Sequence, residues 1–560
     1  MPPSRSAAGQ RRYAVRLRLA ATRAGLAASP VAGPGVVLGL VAALVCGLGH
    51  PATANALPGQ ALRLGGIRAQ GPASRSVTAL HHNPAMLATL RRAAFQIAVT
   101  AAADQQVVRR NTIDPTTGEP LDTLGGRTSL VQPGFDYFIG GSLHFDPVAI
   151  GLGIYSLGTT MRLASAAPLR YHLAPDPDRG CLSIGLDSCA PNGGQVSYRH
   201  DVTAAIAYDG GQFQLGVGLH FPMARERFAF DEDTALGSHG SAESPCTDKE
   251  DPACAERIGF KGWTRWVAPD GTPPGFDAAL SFGVGVQLAN DTVRLGARYR
   301  TFPLRRAGEI ALGGVALVCR PDATLDETSS VQNCSSASTI NATLRERLPQ
   351  ELALGVAVVL GRNRDWHLDT NLYWLDLCQG GVARASCRDN GGQTLRLVGL
   401  DRRAFALPEF TRYRGLQDVY GADAYVSYRA HARASALFAG HASTAAARRA
   451  AAHAGGADGA RLGISAGAQI RLRAGRRAQF TLLLTPGYGL DLSLPRRVDP
   501  SRAAYSPAAA ADFASTGGDI NAAGADAVLA GQARSTNAGR YFGLTHSFSL
   551  AVSWGDGITD

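Results

Sequence analysis

Charged residues are scarce in this chain. Asp, Glu, Lys and Arg together make up 18% of its 560 residues, against roughly 25% in an ordinary soluble domain. Hydrophobic residues still reach 45%, so the chain has ample core-forming material and is not a disordered one. Long apolar runs are also lacking. The single one, at 35–49 (GVVLGLVAALVCGLG), is shorter than the ~20 residues of a helical span, which disfavours a helical membrane protein. Cysteine spacing of the zinc type is missing too: there is no CxxC, and no histidine stands beside the cysteine pairs.

What is present begins with the flanks of that apolar run. Arg5, Arg11, Arg12, Arg16, Arg18 and Arg23 precede it without one acidic residue, and Ala54-Asn55-Ala56 follows it as an A-x-A cleavage pattern. Residues 1–56 therefore read as a secretory signal, with a membrane anchor as the rival. Removing six arginines lowers the formal charge from +10 to +4. That takes away the main support for a nucleic-acid partner.

Cysteine usage agrees with export. Beyond Cys46 the chain carries Cys181/Cys189, Cys246/Cys254, Cys319/Cys334 and Cys378/Cys387, separated by 8, 8, 15 and 9 residues in stretches rich in Gly, Pro, Asp and Ser. Eight cysteines allow 105 connectivities. Neighbour pairing closes four small loops at low entropic cost, as suits an oxidising compartment.

The rest of the chain reads in twos. Phe213, Leu215, Val217, Leu219 and Phe221 alternate with Gln214, Gly216, Gly218 and His220, and Phe276 to Leu288 repeats the pattern. A period of two over about ten residues, with aromatics at both ends of one apolar face, is the mark of a membrane β-strand. Fourteen such strands fall near 92–104, 134–146, 149–160, 195–209, 212–226, 276–290, 292–304, 347–361, 365–377, 418–430, 433–442, 460–473, 477–491 and 541–554. Short connections (146–147, 209–210, 290–291, 361–364, 475–477) alternate with long ones, and every cysteine pair falls in or at the edge of a long one. The expected fold is all-β, a transmembrane antiparallel barrel over 92–560 in the outer membrane of a Gram-negative cell.

Ahead of the first strand stands His82-Asn83-Pro84-Ala85-Met86-Leu87-Ala88; further on come Val293-Arg294-Leu295-Gly296-Ala297-Arg298-Tyr299-Arg300 and Leu348-Pro349 through Gly355 to Trp366 and Trp374. These stretches resemble the N-terminal Asn-Pro-Ala segment, the central strand and the following hairpin of the FadL/TodX-like family, outer-membrane transporters of long-chain fatty acids and other hydrophobic molecules. The resemblance implies that 57–91 folds into the barrel as a hatch around Asn83, Pro84 and Ala85, close to the third strand. It also implies ligand capture by the third and fourth long loops and sideways exit at a kink in the third strand.

Set against that scheme, the apolar positions of the third strand run Ile150, Leu152, Ile154 and then shift to Tyr155 and Leu157. One extra residue makes a bulge, so the kink is expected at Gly153, Ile154, Tyr155 and Gly158; a strand ending at Ile154 is the alternative. Phe260, Trp263 and Trp266 in one long loop, and Leu312 and Leu317 in the next, are the apolar capture residues, unless these segments extend the strands instead. Arg294, Arg298 and Arg300 share one parity and face the lumen. There they bind a carboxylate or pair with acids such as Asp201, Asp277 or Asp369.

Catalysis finds little support. Gly463-Ile464-Ser465-Ala466-Gly467 fits GxSxG, but that motif must join a strand to a helix, and here it sits within an alternating strand. An outer-membrane lipid-modifying enzyme using a lumen histidine (His144, His220 or His367), a general porin and a structural barrel remain the rival readings. The expected partners are a hydrophobic ligand such as a fatty acid and the membrane lipid. No cofactor, metal or nucleic acid is expected, and the barrel is expected to be a monomer.

Overall fold

A chain that must hydrogen-bond its backbone inside a bilayer without helices has one solution, a closed sheet. The computed structural model describes residues 64, 66–67, 71–113, 120–156, 160–161, 169–170, 196–232, 256–264, 277–289, 291–304, 309–319, 340–361, 364–377, 393–397, 409–412, 416–445, 459–473, 481–499 and 539–556. The signal, Gly158 and Trp266 lie outside them. No helix among the described residues is long and apolar enough to cross a membrane.

The four expected disulfides fall largely outside the described residues as well. Cys181 and Cys189, Cys246 and Cys254, and Cys378 and Cys387 all lie beyond them, and so does Cys334, the expected partner of Cys319. Cys319 alone is described, as the last residue of a strand whose backbone pairs with Arg257. None of the four pairings is therefore seen, and each stays an expectation of the sequence.

In chain order the strands are β1 (Arg91–Ile113), β2 (Pro120–Phe145), β3 (Val148–Ser156), β4 (Thr160–Met161), β5 (Leu169–Arg170), β6 (Val196–Asp209), β7 (Phe213–Glu232), β8 (Glu256–Thr264), β9 (Ala279–Leu288), β10 (Val293–Arg300) and β11 (Glu309–Cys319). They continue with β12 (Ile340–Arg347), β13 (Gln350–Leu360), β14 (Trp366–Asp376), β15 (Gln393–Leu397), β16 (Glu409–Arg412), β17 (Val419–His431), β18 (Ala434–Ser443), β19 (Arg461–Arg473), β20 (Thr481–Val498) and β21 (Gly539–Asp556). Fourteen of them close a ring of antiparallel neighbours. The order is β1, β2, β3, β6, β7, β9, β10, β13, β14, β17, β18, β19, β20 and β21, and β21 pairs back onto β1. All fourteen expected strands are present.

The pleat sorts the side chains. Ile97, Val99, Ile139, Ile206, Val217, Val284, Leu354 and Leu550 face outward and exposed, whereas Gln96, Thr100, Ser142, Thr203, Ser281, Asp369 and Ser549 are buried on the inner face. An apolar exterior around a polar interior is the inverse of a soluble domain and the arrangement of a membrane barrel. Phe95, Phe145, Tyr208, Phe213, Tyr428 and Trp554 stand exposed near the short-turn end, where an aromatic girdle meets the lipid headgroups.

Several long connections are more ordered than the sequence reading has them. β1 and β2 keep pairing out to Ile113 and Pro120, so 105–133 is largely a hairpin arm and not a loop. On another side β7 continues past the ring and pairs with β8, which carries β11, β12, β15 and β16 in turn. Phe260, Trp263, Leu312 and Leu317 therefore lie on strands of a rim sheet, the extension that the sequence leaves open as an alternative. The physical reason is that alternation continues beyond the membrane, so the chain keeps its ladder.

Inside the ring runs the segment ahead of β1. Its helix α1 (Ala79–His82) is followed by a 3₁₀ turn at Pro84–Thr89. Leu64, Val77, Leu80, Met86, Leu87 and Leu90 join inward residues of the wall (Ala94, Phe138, Tyr155, Ala205, Leu483 and Ala551) in one apolar cluster. The wall makes room with glycine: a Cβ at Gly216 would meet the backbone of Pro84 and Ala85, and one at Gly296 the Pro72 carbonyl.

Candidate functional site

Asn83 anchors the inner segment. The following Pro84 keeps it extended, at φ −170°. Its Oδ1 then accepts from the Ala85 N–H at 3.1 Å and caps the 3₁₀ turn, while Nδ2 donates to Pro72 O at 2.7 Å and to Val284 O at 2.9 Å. The Asn-Pro-Ala motif thus rests on β7 and β9, beside Gly216 and Gly283, and not on the third strand as expected. The third strand is met instead by Leu80, which occupies the space of a Cβ at Gly151 and Gly153, and by Leu87 at Gly151. The glycines of β7 and β9 admit a backbone, whereas those of β3 admit only the ends of leucines.

The third strand slips register between Ser156 and Thr160, an interval that contains Gly158 of the expected kink, itself outside the described residues. Gly153, Ile154 and Tyr155 pair without a slip, with Thr203, Val202 and Asp201 on one side and with Gly140, Ile139 and Phe138 on the other. Thr160 pairs with Ser197 and Gly134. From Ser156 to Thr160 the strand advances four residues while β6 advances three, from His200 to Ser197. One extra residue is thus inserted between Ser156 and Thr160. Tyr155 imitates a parity shift in the sequence because it is an aromatic turned inward, fully buried against the inner segment.

Side chains add contacts beside the slip. The Tyr137 N–H donates to Ser156 Oγ at 2.8 Å, and that hydroxyl donates to Asp136 Oδ1 at 3.0 Å. The Tyr137 hydroxyl lies 3.0 Å from His200 Nδ1, joining β2 to β6. On the lumen side the Tyr155 hydroxyl sits 3.2 Å from His81 Nδ1, 3.3 Å from Asp201 Oδ2 and 3.2 Å from His220 Nδ1. Thr203 Oγ1 lies 2.9 Å from the same His220 nitrogen, and Ser281 Oγ lies 2.8 Å from His220 Nε2.

The three arginines face the lumen as their parity predicts, and all three are buried. Arg300 pairs with Asp201 at 2.6 Å. Arg298 donates to the His81 carbonyl and pairs with Glu351, so it binds the inner segment to the wall. Arg294 lies 2.9 Å from His367 Nε2. Asp369, a further predicted partner, accepts the Ser74 hydroxyl of the inner segment at 2.8 Å. His81 belongs to the inner segment; burial, followed by the nearby Arg298 charge, holds its imidazole well below its ordinary value of 6.5.

The apolar capture residues separate. On β8, Phe260 is 2% exposed and turns inward, whereas Trp263 is 48% exposed and turns outward. Leu312 is buried on the inner face, Leu317 pairs with Gly259, and Trp266 lies outside the described residues. Phe260 and Trp263 therefore do not share one exposed groove, because residues three apart on a strand face opposite ways. Ser465 of the GxSxG stretch sits mid-strand in β19, with no helix after it among the described residues. Among the described residues no group of three or more ligating side chains is placed to hold a metal.

Sequence reasoning missed Ser156, Asp136, Tyr137 and His81 as a set. The one signal available was that a serine and a tyrosine fall together at inward positions where the third strand stops alternating.

No family model and no curated protein matches the chain. Among solved structures it is similar to a Pseudomonas aeruginosa FadL homologue, with a TM-score of 0.58 at 14% identity, covering 90% of this chain and 99% of that one. The P. putida toluene transporter TodX has a TM-score of 0.48 at 11% identity over 87% and 98% of the two chains. The Ralstonia pickettii toluene transporter TbuX has 0.48 at 12% identity over 87% and 96%. The likeness to the FadL homologue, taken with the ring of fourteen strands, shows that the chain has the fold of a FadL-type barrel.

Proposed function

We propose that this protein is an outer-membrane channel that takes up hydrophobic small molecules, long-chain fatty acids among them, by passive diffusion past an internal hatch and out sideways at the third strand. The observation that carries it is the juxtaposition of two features. The inner segment packs on inward residues of the wall, and the register of the third strand against β6 slips by one residue between Ser156 and Thr160. A hydrophobic ligand gains roughly 0.8 kcal/mol per buried CH₂, so an exit into the bilayer runs downhill for an acyl chain and uphill for a sugar. A general porin would need the lumen clear, and the packed inner segment disfavours that reading.

In the same reading residues 1–56 are removed, and the mature chain starts near Leu57 and works as a monomer. Each loop cysteine joins its near neighbour: Cys181 with Cys189, Cys246 with Cys254, Cys319 with Cys334 and Cys378 with Cys387. Purified protein in liposomes should take up labelled oleate and exclude a labelled sugar. Equal uptake of both, or of neither, would overturn the proposal.

A further inference from the structure

Four arginines share one row of the sheet. Arg127 on β2 stands opposite Arg109 on β1, Arg109 opposite Arg540 on β21, and Arg540 opposite Arg497 on β20. Residues directly opposite on neighbouring strands have Cβ atoms about 4.5–5.5 Å apart, and like charges placed there repel. Arg109, Arg540 and Arg497 are exposed. Arg497 meets Asp499 at 3.0 Å in a pair open to solvent, whereas Arg109 and Arg540 form no ion pair among the described residues. An exposed strand position tolerates any polar residue, so four adjacent cations are a cost that a bound anion would offset.

The row crowns the lipid-facing side of the wall. Along β1 the outward positions lead from Phe95 through Val99 to Arg109, and along β21 from Trp554 through Leu550 to Arg540, with no acidic residue among them. Both arginines stand fourteen residues from the girdle aromatic of their own strand, and Phe95 and Trp554 are themselves opposite. Fourteen residues make about 46 Å of strand, or ~35 Å of height at the usual tilt. An apolar band is about 25 Å tall, and the headgroup layers bring a bilayer to about 40–45 Å. Counted from the short-turn girdle, the row therefore falls in the headgroup layer of the outer leaflet.

We propose that Arg109, Arg127, Arg497 and Arg540 form a docking site for a phosphorylated glycolipid of the outer leaflet. Its phosphates sit on the row, and its acyl chains lie on the apolar stripe below. An arginine fork takes two phosphate oxygens at once, so binding turns four mutually repelling cations into a neutralised set. The row spans three strand spacings, about 14 Å, which leaves room for two phosphates on one sugar headgroup. A soluble anion would satisfy the charge and leave the stripe unused; a stripe that ends at the row selects a lipid. Because β1 and β21 are the strands whose pairing closes the ring, the bound glycolipid also spans that seam.

The test uses purified full-length protein in a nonionic detergent, with folding checked by heat-modifiable mobility. Lipid binding is read by native mass spectrometry and by the thermal midpoint. Wild type should bind bisphosphorylated lipid A about tenfold more tightly than its monophosphoryl form, and the phosphate-free form more weakly still. Arg109→Gln with Arg540→Gln should weaken bisphosphorylated lipid A about tenfold or more. The same double variant should melt above wild type without lipid, since the repulsion is relieved, and should gain less when lipid A is added. Arg91→Gln with Arg433→Gln, which removes two exposed cations from the short-turn end, should bind lipid A as wild type does. Equal binding of the three lipid forms by wild type would overturn the proposal. So would an unchanged lipid A affinity in the Arg109/Arg540 variant, or a lower midpoint with the lipid A gain kept. Displacement of lipid A by millimolar inorganic phosphate would assign the row to a soluble anion and overturn it equally.

Discussion

The Ser156 hydroxyl takes the backbone N–H of Tyr137 at 2.8 Å, beside the register slip of the third strand. A buried N–H left without an acceptor costs about 1–3 kcal/mol, so a side chain has been placed where a strand carbonyl would otherwise stand. Ser156→Ala should lower the thermal midpoint and speed exchange of the Tyr137 amide by ~10-fold or more. Unchanged exchange would mean that the amide is already held by other groups.

Gly216 is the position where wall and inner segment come closest. A Cβ there runs into the backbone of Pro84 and Ala85, which cannot move aside as the tip of a side chain can. Gly216→Val should displace the segment while the barrel still assembles, since strands favour valine. The expected readout is a raised single-channel conductance in planar bilayers. Barrel assembly with wild-type conductance would show that the segment does not close the lumen.

Arg298 links three elements, because it joins His81 of the inner segment to Glu351 of β13 from its own place on β10. Removing one partner of a buried pair leaves an uncompensated charge, at a cost of ~3–5 kcal/mol. Arg298→Ala should therefore destabilise the protein and weaken acid and ester ligands alike. A loss confined to the acid would return Arg298 to the headgroup role that its sequence position suggests. Arg298→Ala with Glu351→Gln should recover part of the stability.

His81 gives the inner segment a pH dependence whose sign is fixed. Docked, its imidazole is held below 6.5 by burial and by Arg298; undocked, it titrates at its ordinary value. The undocked state thus binds more protons once the pH falls below 6.5, and docking weakens progressively from there downward. Above that pH the contribution is fully present. Proteolysis or hydrogen exchange of 71–90 should rise between pH 7 and pH 5, and His81→Gln should flatten the rise.

The barrel is legible in the sequence because a period of two survives as alternating apolar and small polar residues, and fourteen such stretches fall where fourteen strands stand. The inward parity of Arg294, Arg298 and Arg300 is legible for the same reason. Their partners are not. Arg300 meets Asp201 across strands far apart in the chain, and Arg199 on β6 meets Glu346 on β12, a pairing without a local signal. The sequence spreads the expected kink in the third strand from Gly153 to Gly158, since Tyr155 turns inward for its hydroxyl contacts and so mimics a slipped register, whereas the slip itself falls between Ser156 and Thr160. Phe260 and Trp263 look like one loop cluster because spacing in a loop says nothing of faces; on β8 they separate.

Asn83 offers the sharpest test of how the inner segment is held. Its amide does three things at once: Oδ1 caps the turn at Ala85, and Nδ2 ties Pro72 to itself and the segment to Val284 of the wall. Asn83→Asp retains the acceptor and loses both donors, so the 3₁₀ turn should persist while docking to β9 fails; it also brings a charge into a buried site. Asn83→Ala loses all three bonds, worth about 1 kcal/mol apiece. Both variants should raise conductance, the aspartate at least as much as the alanine, because a buried unpaired carboxylate actively opposes docking. Deleting 57–91 sets the upper limit for a lumen without its segment. If the deletion conducts no better than wild type, the long connections close the lumen instead, and the Asn83 variants should then change stability without changing conductance.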